Sequence, residues 1–175
     1  MREVAVDLKS YIRDIPDWPK EGIVFKDITP LLADKDGFKY AIDSMAEHYD
    51  GERIDVVLGA EARGFIFASA LAYRLGAGFI PARKPGKLPY KTCRAEYELE
   101  YGTDCLEMHE DAIKPGDRVL IADDLIATGG TVSAKAQLVE QLGGTVVGMA
   151  FLIELGFLNG REKIGEYEVF SLITY

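Results

Sequence analysis

Val119–Thr131 reads VLIADDLIATGGT, an apolar run that ends in two adjacent aspartates and passes into a glycine-rich turn. Val119 to Ala122 has the character of a buried strand, and the residues from Thr131 onward take helical spacing. Between them Ala127, Thr128, Gly129, Gly130 and Thr131 fall at a helix N-terminus, where backbone N–H groups lack partners. Two glycines let the backbone approach a ligand closely, and the threonine hydroxyls add donors. The turn suits an anion. It is not a Walker loop, since no Gly-Lys-Ser/Thr follows, and it lacks the dinucleotide pattern G-x-G-x-x-G.

Asp123 and Asp124 cannot touch that same anion. A carboxylate ~4 Å from one unit of phosphate charge is opposed by roughly 4 kcal/mol at an effective dielectric of about 20. The helix terminus returns only about 0.3–1 kcal/mol, up to ~2 when partly buried. Four residues of extended chain can, however, separate Asp124 from Thr128 by up to ~13 Å. The acids therefore face another part of the ligand, one that offers donors or a cation. Ionised carboxylates only accept, and a ribose diol supplies two hydroxyl donors. The economical ligand is a sugar phosphate: phosphate on the glycines, hydroxyls toward the acids, and Mg²⁺ as the accompanying cation.

The rest of the chain bounds the reading. Its 175 residues suffice for one domain with a full core. A net charge of -9 speaks against nucleic acid or an anionic membrane as partner. Cys93 and Cys105 lack C-x-x-C spacing and a paired histidine, so no metal–thiolate site is expected and no metal ligand is assigned directly. The opening MREVAVDLKS has no long apolar core, and the apolar stretch Leu142 to Ile153 is too short to span a bilayer. With two thiols and no leader, the cytoplasm is the expected compartment. His48 and His109 stand alone.

Working outward, strands and helices alternate. IDVVLGA reads as a strand, GFIFASALAYRLG as a helix ended by Gly76, and GFIPA as a strand. RVLIADD, TVSAKAQLVEQLGG and TVVGMAFLIEL continue strand, helix, strand. This rhythm implies an α/β fold, a central mostly parallel sheet flanked by helices, with ligands outside the carboxyl ends of its strands. Upstream, Val4 to Arg13 is expected as a short amphipathic helix and IPDWPKEGIVFKDITP as loop. Phe38, Ile42, Met45 and Tyr49 recur at helical spacing behind Asp34 and Asp36, and Asp50-Gly51 stops that helix. AEYELEY alternates strictly, with Tyr97, Leu99 and Tyr101 on one face, and is expected to pair with DCLEMHE as a hairpin outside the central sheet. Arg83, Lys84, Lys87, Lys91 and Arg94 form a basic island whose Pro85, Gly86 and Pro89 make it a loop able to close over substrate.

VLIADDLIATGGT resembles the phosphoribosyl diphosphate motif of type I phosphoribosyltransferases. GIVFKDITPLL, GAEARGFIF, RKPGKLP, YELEYGTD and ELGFLNGREK, in register from about Ile12 onward, are similar to the adenine phosphoribosyltransferase family within them. The resemblance implies that adenine N9 is joined to C1′ of phosphoribosyl diphosphate, releasing diphosphate and AMP, with Mg²⁺ bound mainly through the diphosphate. It implies one phosphoribosyltransferase domain over 1–175 with a hood at about 1–33, a flexible hairpin loop, and a homodimer. It assigns Arg63, Lys84 and Lys87 to the diphosphate, with Arg63 and Lys87 counted as catalytic, and Asp123 and Asp124 to the ribose. Ala127, Thr128, Gly129, Gly130 and Thr131 fall to the 5′-phosphate. Phe25 and Leu155 sandwich the base and the backbone of Val24 and Lys26 reads it; many relatives carry arginine where Lys26 stands. Glu100 is the acid/base near the purine, and Tyr101 orders the loop. A cis peptide near Glu61-Ala62 is also a family feature.

Three rivals are weaker. Relatives that use orotate or 6-oxopurines share the sugar-phosphate motif but differ at GIVFKDITP and ELGFLNGREK. A non-catalytic sensor of phosphoribosyl diphosphate would need a DNA-reading segment. A phosphoacceptor receiver domain would leave the glycine-rich turn unexplained.

Overall fold

Apolar runs make strands, and five of them build the centre of this molecule, the three inner ones buried on both faces. The computed structural model describes residues 6–98 and 102–175. The strands are β3 (Val56–Ala60), β4 (Gly78–Ala82), β7 (Arg118–Ile126), β8 (Thr145–Glu154) and β9 (Val169–Thr174), in the order β4-β3-β7-β8-β9. Every neighbouring pair is parallel. The α/β sheet expected from the alternation is therefore present, with β9 as an additional edge strand.

Helices cover both faces. On one side α2 (Lys35–His48) and α3 (Arg63–Leu75) bury Met45, Phe67 and Leu71 against Val57, Leu120 and Ala122. On the other, α4 (Gly130–Gln141) buries Leu138 and Val139 against Val119, Ile121 and Phe151. Residues of β7 thus alternate between two cores, as a doubly covered strand must. Asp34 caps α2 by accepting from the N–H of Asp36 and Gly37, and Gly76 ends α3 with a left-handed φ of 68°. The antiparallel hairpin of β5 (Thr92–Glu98) and β6 (Thr103–His109) is a separate sheet packed on α4, as its alternation implies.

The amino-terminal third departs from expectation. Among the described residues, Val4 to Arg13 holds only one 3-10 turn, Leu8–Tyr11, and Arg13 already begins a strand. The stretch expected as loop contains β2 (Val24–Asp27), paired antiparallel with β1 (Arg13–Pro16), and leads into α1 (Thr29–Ala33). Cross-strand ion pairs Arg13–Asp27 and Lys26–Asp14 hold this hairpin, and such pairs are invisible to local pattern. The basic island is likewise not all loop. Arg83 bridges Glu107, and Arg94 lies within β5 with its guanidinium 3.0 Å from the Glu107 carboxylate.

Gly148 in β8 shows how tightly the sheet and α2 meet. A Cβ there would lie 2.6 Å from Cε1 and 2.8 Å from Oη of Tyr49, a ring that is fully buried. Replacing Gly148 with Ala is expected to cost about 1–3 kcal/mol of stability through overpacking. Denaturant unfolding checks this, and an unchanged midpoint would contradict it.

Candidate functional site

The carboxyl ends of β3 and β7 open into a cleft of about 260 Å³. It is lined by Glu61, Arg63, Asp123, Asp124, Leu125 and the turn from Ala127 to Thr131. The turn itself is built by interlocked glycines. Gly129 takes a φ of 83°, open to few side chains, and a Cβ on it would lie 2.3 Å from the carbonyl oxygen of Gly160. A Cβ on Gly160 would in turn lie 2.2 Å from the carbonyl oxygen of Ala127. Arg161 keeps that second segment in place by a bidentate pair with buried Glu154, both contacts 2.6 Å. Among the described residues no side chain caps the first turn of α4, so its amides face the cleft unsatisfied.

The acids are not equivalent. Asp123 and Asp124 are both buried. Asp123 Oδ2 accepts from Lys135 Nζ at 2.6 Å, and Asp123 Oδ1 accepts the Asp124 N–H at 3.0 Å. Asp124 Oδ2 has only the Arg63 guanidinium, 3.0 Å away but not aligned for a hydrogen bond. Both Asp124 Oδ2 and Arg63 Nη1 are buried without hydrogen-bond partners among the described residues. An unsatisfied buried polar atom costs about 1–3 kcal/mol, more when charged. Burial and the neighbouring Asp123 carboxylate together push the Asp124 carboxyl up to about 7, against the pull of Arg63.

A second charge cluster lies at the rim. Glu61 accepts from Lys87 Nζ at 2.7 Å, from the Lys84 N–H at 2.6 Å and from Arg83 at 3.3 Å. Burial works to raise this carboxyl, but those three donors hold it below its usual value. The Lys84 ammonium instead binds Tyr97 Oη and Asp104 on the hairpin. Arg63 lines the cleft beside the acids, and Arg83 and Lys87 stand at its rim on Glu61, so cations are at hand for an anion in an otherwise acidic chain. The Glu61-Ala62 peptide is cis, as in the family resembled.

The structure therefore brings Arg63, Asp123, Asp124, Ala127, Thr128, Gly129, Gly130 and Thr131 into one cleft and leaves Lys84 and Lys87 at its margin. Val24, Phe25, Lys26 and Leu155 lie outside its lining. Phe25 still meets the site, because the Arg63 guanidinium stands 5.0 Å from its ring centroid. Trp18 packs edge-on against the same ring at 4.4 Å. The Lys26 side chain is held by Asp14 and by the face of the Tyr175 ring. Glu100 and Tyr101 lie outside the described residues. Glu61 and Lys135 also belong to the charge network of the cleft, although local sequence assigns neither a role. A lysine among Ala134, Ala136, Leu138 and Val139 was the available signal for the second; nothing local marked the first.

Residues 31–174 match the phosphoribosyl transferase domain family. Adenine phosphoribosyltransferase of Brachyspira hyodysenteriae is 64% identical over 170 residues, covering 97% of this chain and 100% of the relative. The crystal structure of adenine phosphoribosyltransferase from Thermoanaerobacter pseudethanolicus superposes with a TM-score of 0.94 at 56% identity, covering 96% of this chain and 98% of that one. The Saccharomyces cerevisiae enzyme, complexed with an imino-altritol bisphosphate and adenine, gives 0.89 at 43% identity over 94% of this chain and 96% of its own.

The raised Asp124 carboxyl makes a prediction with a definite sign. The folded state keeps its proton up to about pH 7, whereas the unfolded chain loses it near the ordinary aspartate value of 3.8. The resulting stability is fully present below the unfolded value and is lost as pH rises through about 7. Asp124→Asn, which never carries the charge, should therefore be more stable than the parent at pH 8, by several kcal/mol. The gain should vanish toward pH 4, close to the unfolded value of 3.8. Thermal unfolding across this range checks it; a gain independent of pH would contradict it.

Proposed function

The chain belongs to the adenine phosphoribosyltransferase family, and from that membership we propose how its cleft transfers a phosphoribosyl group from phosphoribosyl diphosphate to N9 of adenine. The products are AMP and diphosphate, a purine-salvage reaction. The observation that carries the reading is the meeting of unsatisfied groups in one cleft: Asp124 Oδ2, Arg63 Nη1 and the uncapped amides of α4. A sugar phosphate satisfies all three.

The bond from C1′ to the diphosphate breaks with its electrons leaving on the diphosphate, while N9 of adenine bonds to C1′ and gives up its proton. Positive charge grows on the ribose and negative charge on the leaving group. Asp123 and Asp124 accept the ribose hydroxyls and stabilise the first. Arg63, Lys84 and Lys87 stabilise the second, Arg63 through its paired N–H fork. The 5′-phosphate takes the amides and hydroxyls of Ala127 to Thr131. Phe25 and Leu155 enclose the base, and the backbone of Val24 and Lys26 reads its edge. Glu100 serves as acid/base and Tyr101 orders the hairpin loop. All of this takes place in a single domain, 1–175, whose hood at about 1–33 completes the base pocket.

Mg²⁺ fits this site as a companion of the substrate. Among the described residues no cluster of three His, Cys, Asp or Glu could cage it, and Mg²⁺ ordinarily keeps waters and substrate phosphate oxygens as ligands. When bound, it offsets charge on the diphosphate. Homodimer formation is supported by exposed apolar side chains on two adjoining elements, Ile66 and Tyr73 on α3 and Phe79 on the edge strand β4. Two free thiols, Cys93 and Cys105, suit the cytoplasm.

A side-by-side assay of phosphoribosyl diphosphate with adenine, hypoxanthine and guanine in Mg²⁺ tests the function. Adenine should be used at least about a hundredfold better, since a site built to pair with one base edge leaves buried groups unpaired with another. Comparable use of hypoxanthine would refute the adenine assignment. Lys87→Ala should lower the rate of the chemical step about tenfold or more with little change in adenine affinity. Single-turnover kinetics check this, and a change confined to adenine binding would remove Lys87 from the leaving group.

A further inference from the structure

Lys135 is a charged side chain with no exposure at all, on the face of α4 turned to the sheet. A buried ammonium is costly unless paired, and replacing such a pair by apolar side chains is often neutral or stabilising. Val132, Leu138 and Val139, one turn away along α4, are buried apolar side chains, and a methionine in its place would match the lysine in length without its charge. Packing therefore does not call for a lysine here. Among the described residues its hydrogen-bond partner is Asp123 alone, at 2.6 Å.

That contact completes a three-sided clamp on Asp123. Lys135 holds Oδ2, the Asp124 N–H holds Oδ1, and Gly64 leaves room for the carboxylate, since a Cβ at Gly64 would lie 2.3 Å from Oδ1. Arg63, the other cation at the acid pair, is 39% exposed and open to the cleft, whereas Lys135 has no exposure at all. Lys135 also rides on the helix whose amino end forms the anion turn. It thus joins the acid pair and the phosphate turn through one rigid element.

We propose that Lys135 is a positioning residue for ribose recognition: by fixing Asp123 to α4 it sets the spacing between the diol acceptors and the phosphate turn, and it remains as counter-charge when Arg63 turns to the diphosphate. The inference rests on the phosphoribosyl transfer reading and deepens it. Lys135 acts through Asp123 and touches no substrate.

Calorimetric titration with AMP and with 2′-deoxy-AMP tests the proposal, because their affinity ratio reports the diol contact. The unsubstituted protein should prefer AMP by about tenfold, the value of one hydrogen bond to a charged group. In Lys135→Met, AMP affinity should fall about tenfold while 2′-deoxy-AMP changes little, so that the preference collapses to within about twofold. Equal weakening of both nucleotides with the preference intact would overturn the proposal, since a merely structural lysine affects both alike. Should Lys135→Met not fold, Asp123→Asn/Lys135→Met leaves no lone buried charge and is compared with Asp123→Asn. Matching AMP affinities and preferences support action through Asp123, and a further loss in the double variant overturns it. If the unsubstituted protein binds neither nucleotide, the phosphoribosyl reading fails and takes the inference with it, an outcome distinct from a retained preference in the variant.

Discussion

Two carboxylates buried side by side, beside a turn made for an anion, are an arrangement that a folded chain tolerates only with fixed countercharges. Repulsion between Asp123 and Asp124 and their loss of water both oppose folding, and the rest of the cleft is arranged around that cost. Lys135 answers it from beneath and Arg63 from the front. The Arg63 answer is incomplete: the guanidinium is near but misaligned, and the Asp124 oxygen stays unsatisfied. Strain of this kind is what a ligand with hydroxyl donors relieves, so part of the energy withheld from folding becomes available for binding.

The same logic explains the packing around the turn. Amides left free for a phosphate cannot be capped by the chain's own side chains, so the turn must be held by its backbone. Gly129 and Gly160 allow two backbone segments to touch, and Glu154 with Arg161 pins the second segment from behind. The segment ELGFLNGREK, which contains Leu155, thereby supports the glycine-rich turn from behind. At the rim, Glu61 holds Arg83 and Lys87 close to where a diphosphate would compete for them. One carboxylate keeps the basic segment near the cleft without a permanent bond.

Where a residue's fate depends on its own neighbours in the chain, the sequence was legible. The long apolar runs of β7 and β8, the cap at Asp34, the stop at Gly76 and the alternation of β5 all turned out as local periodicity and turn chemistry imply. The turn from Ala127 to Thr131 and its two acids were readable for the same reason. The β1–β2 hairpin was not, because prolines and a glycine mask it and its support comes from Arg13–Asp27 and Lys26–Asp14 across the strands. Lys135 and Glu61 acquire meaning only from partners distant in sequence. Phe25 and Leu155 gained their assignment from family resemblance, and Arg63 over the Phe25 ring is the contact that ties that strand to the cleft.

The most direct test of the account is a crystal structure of the protein with AMP bound. The 5′-phosphate should lie on the amides of Thr128 to Thr131, with both ribose hydroxyls within hydrogen-bond reach of the Asp123–Asp124 pair. Ribose hydroxyls turned to solvent, or a phosphate held elsewhere, would contradict it.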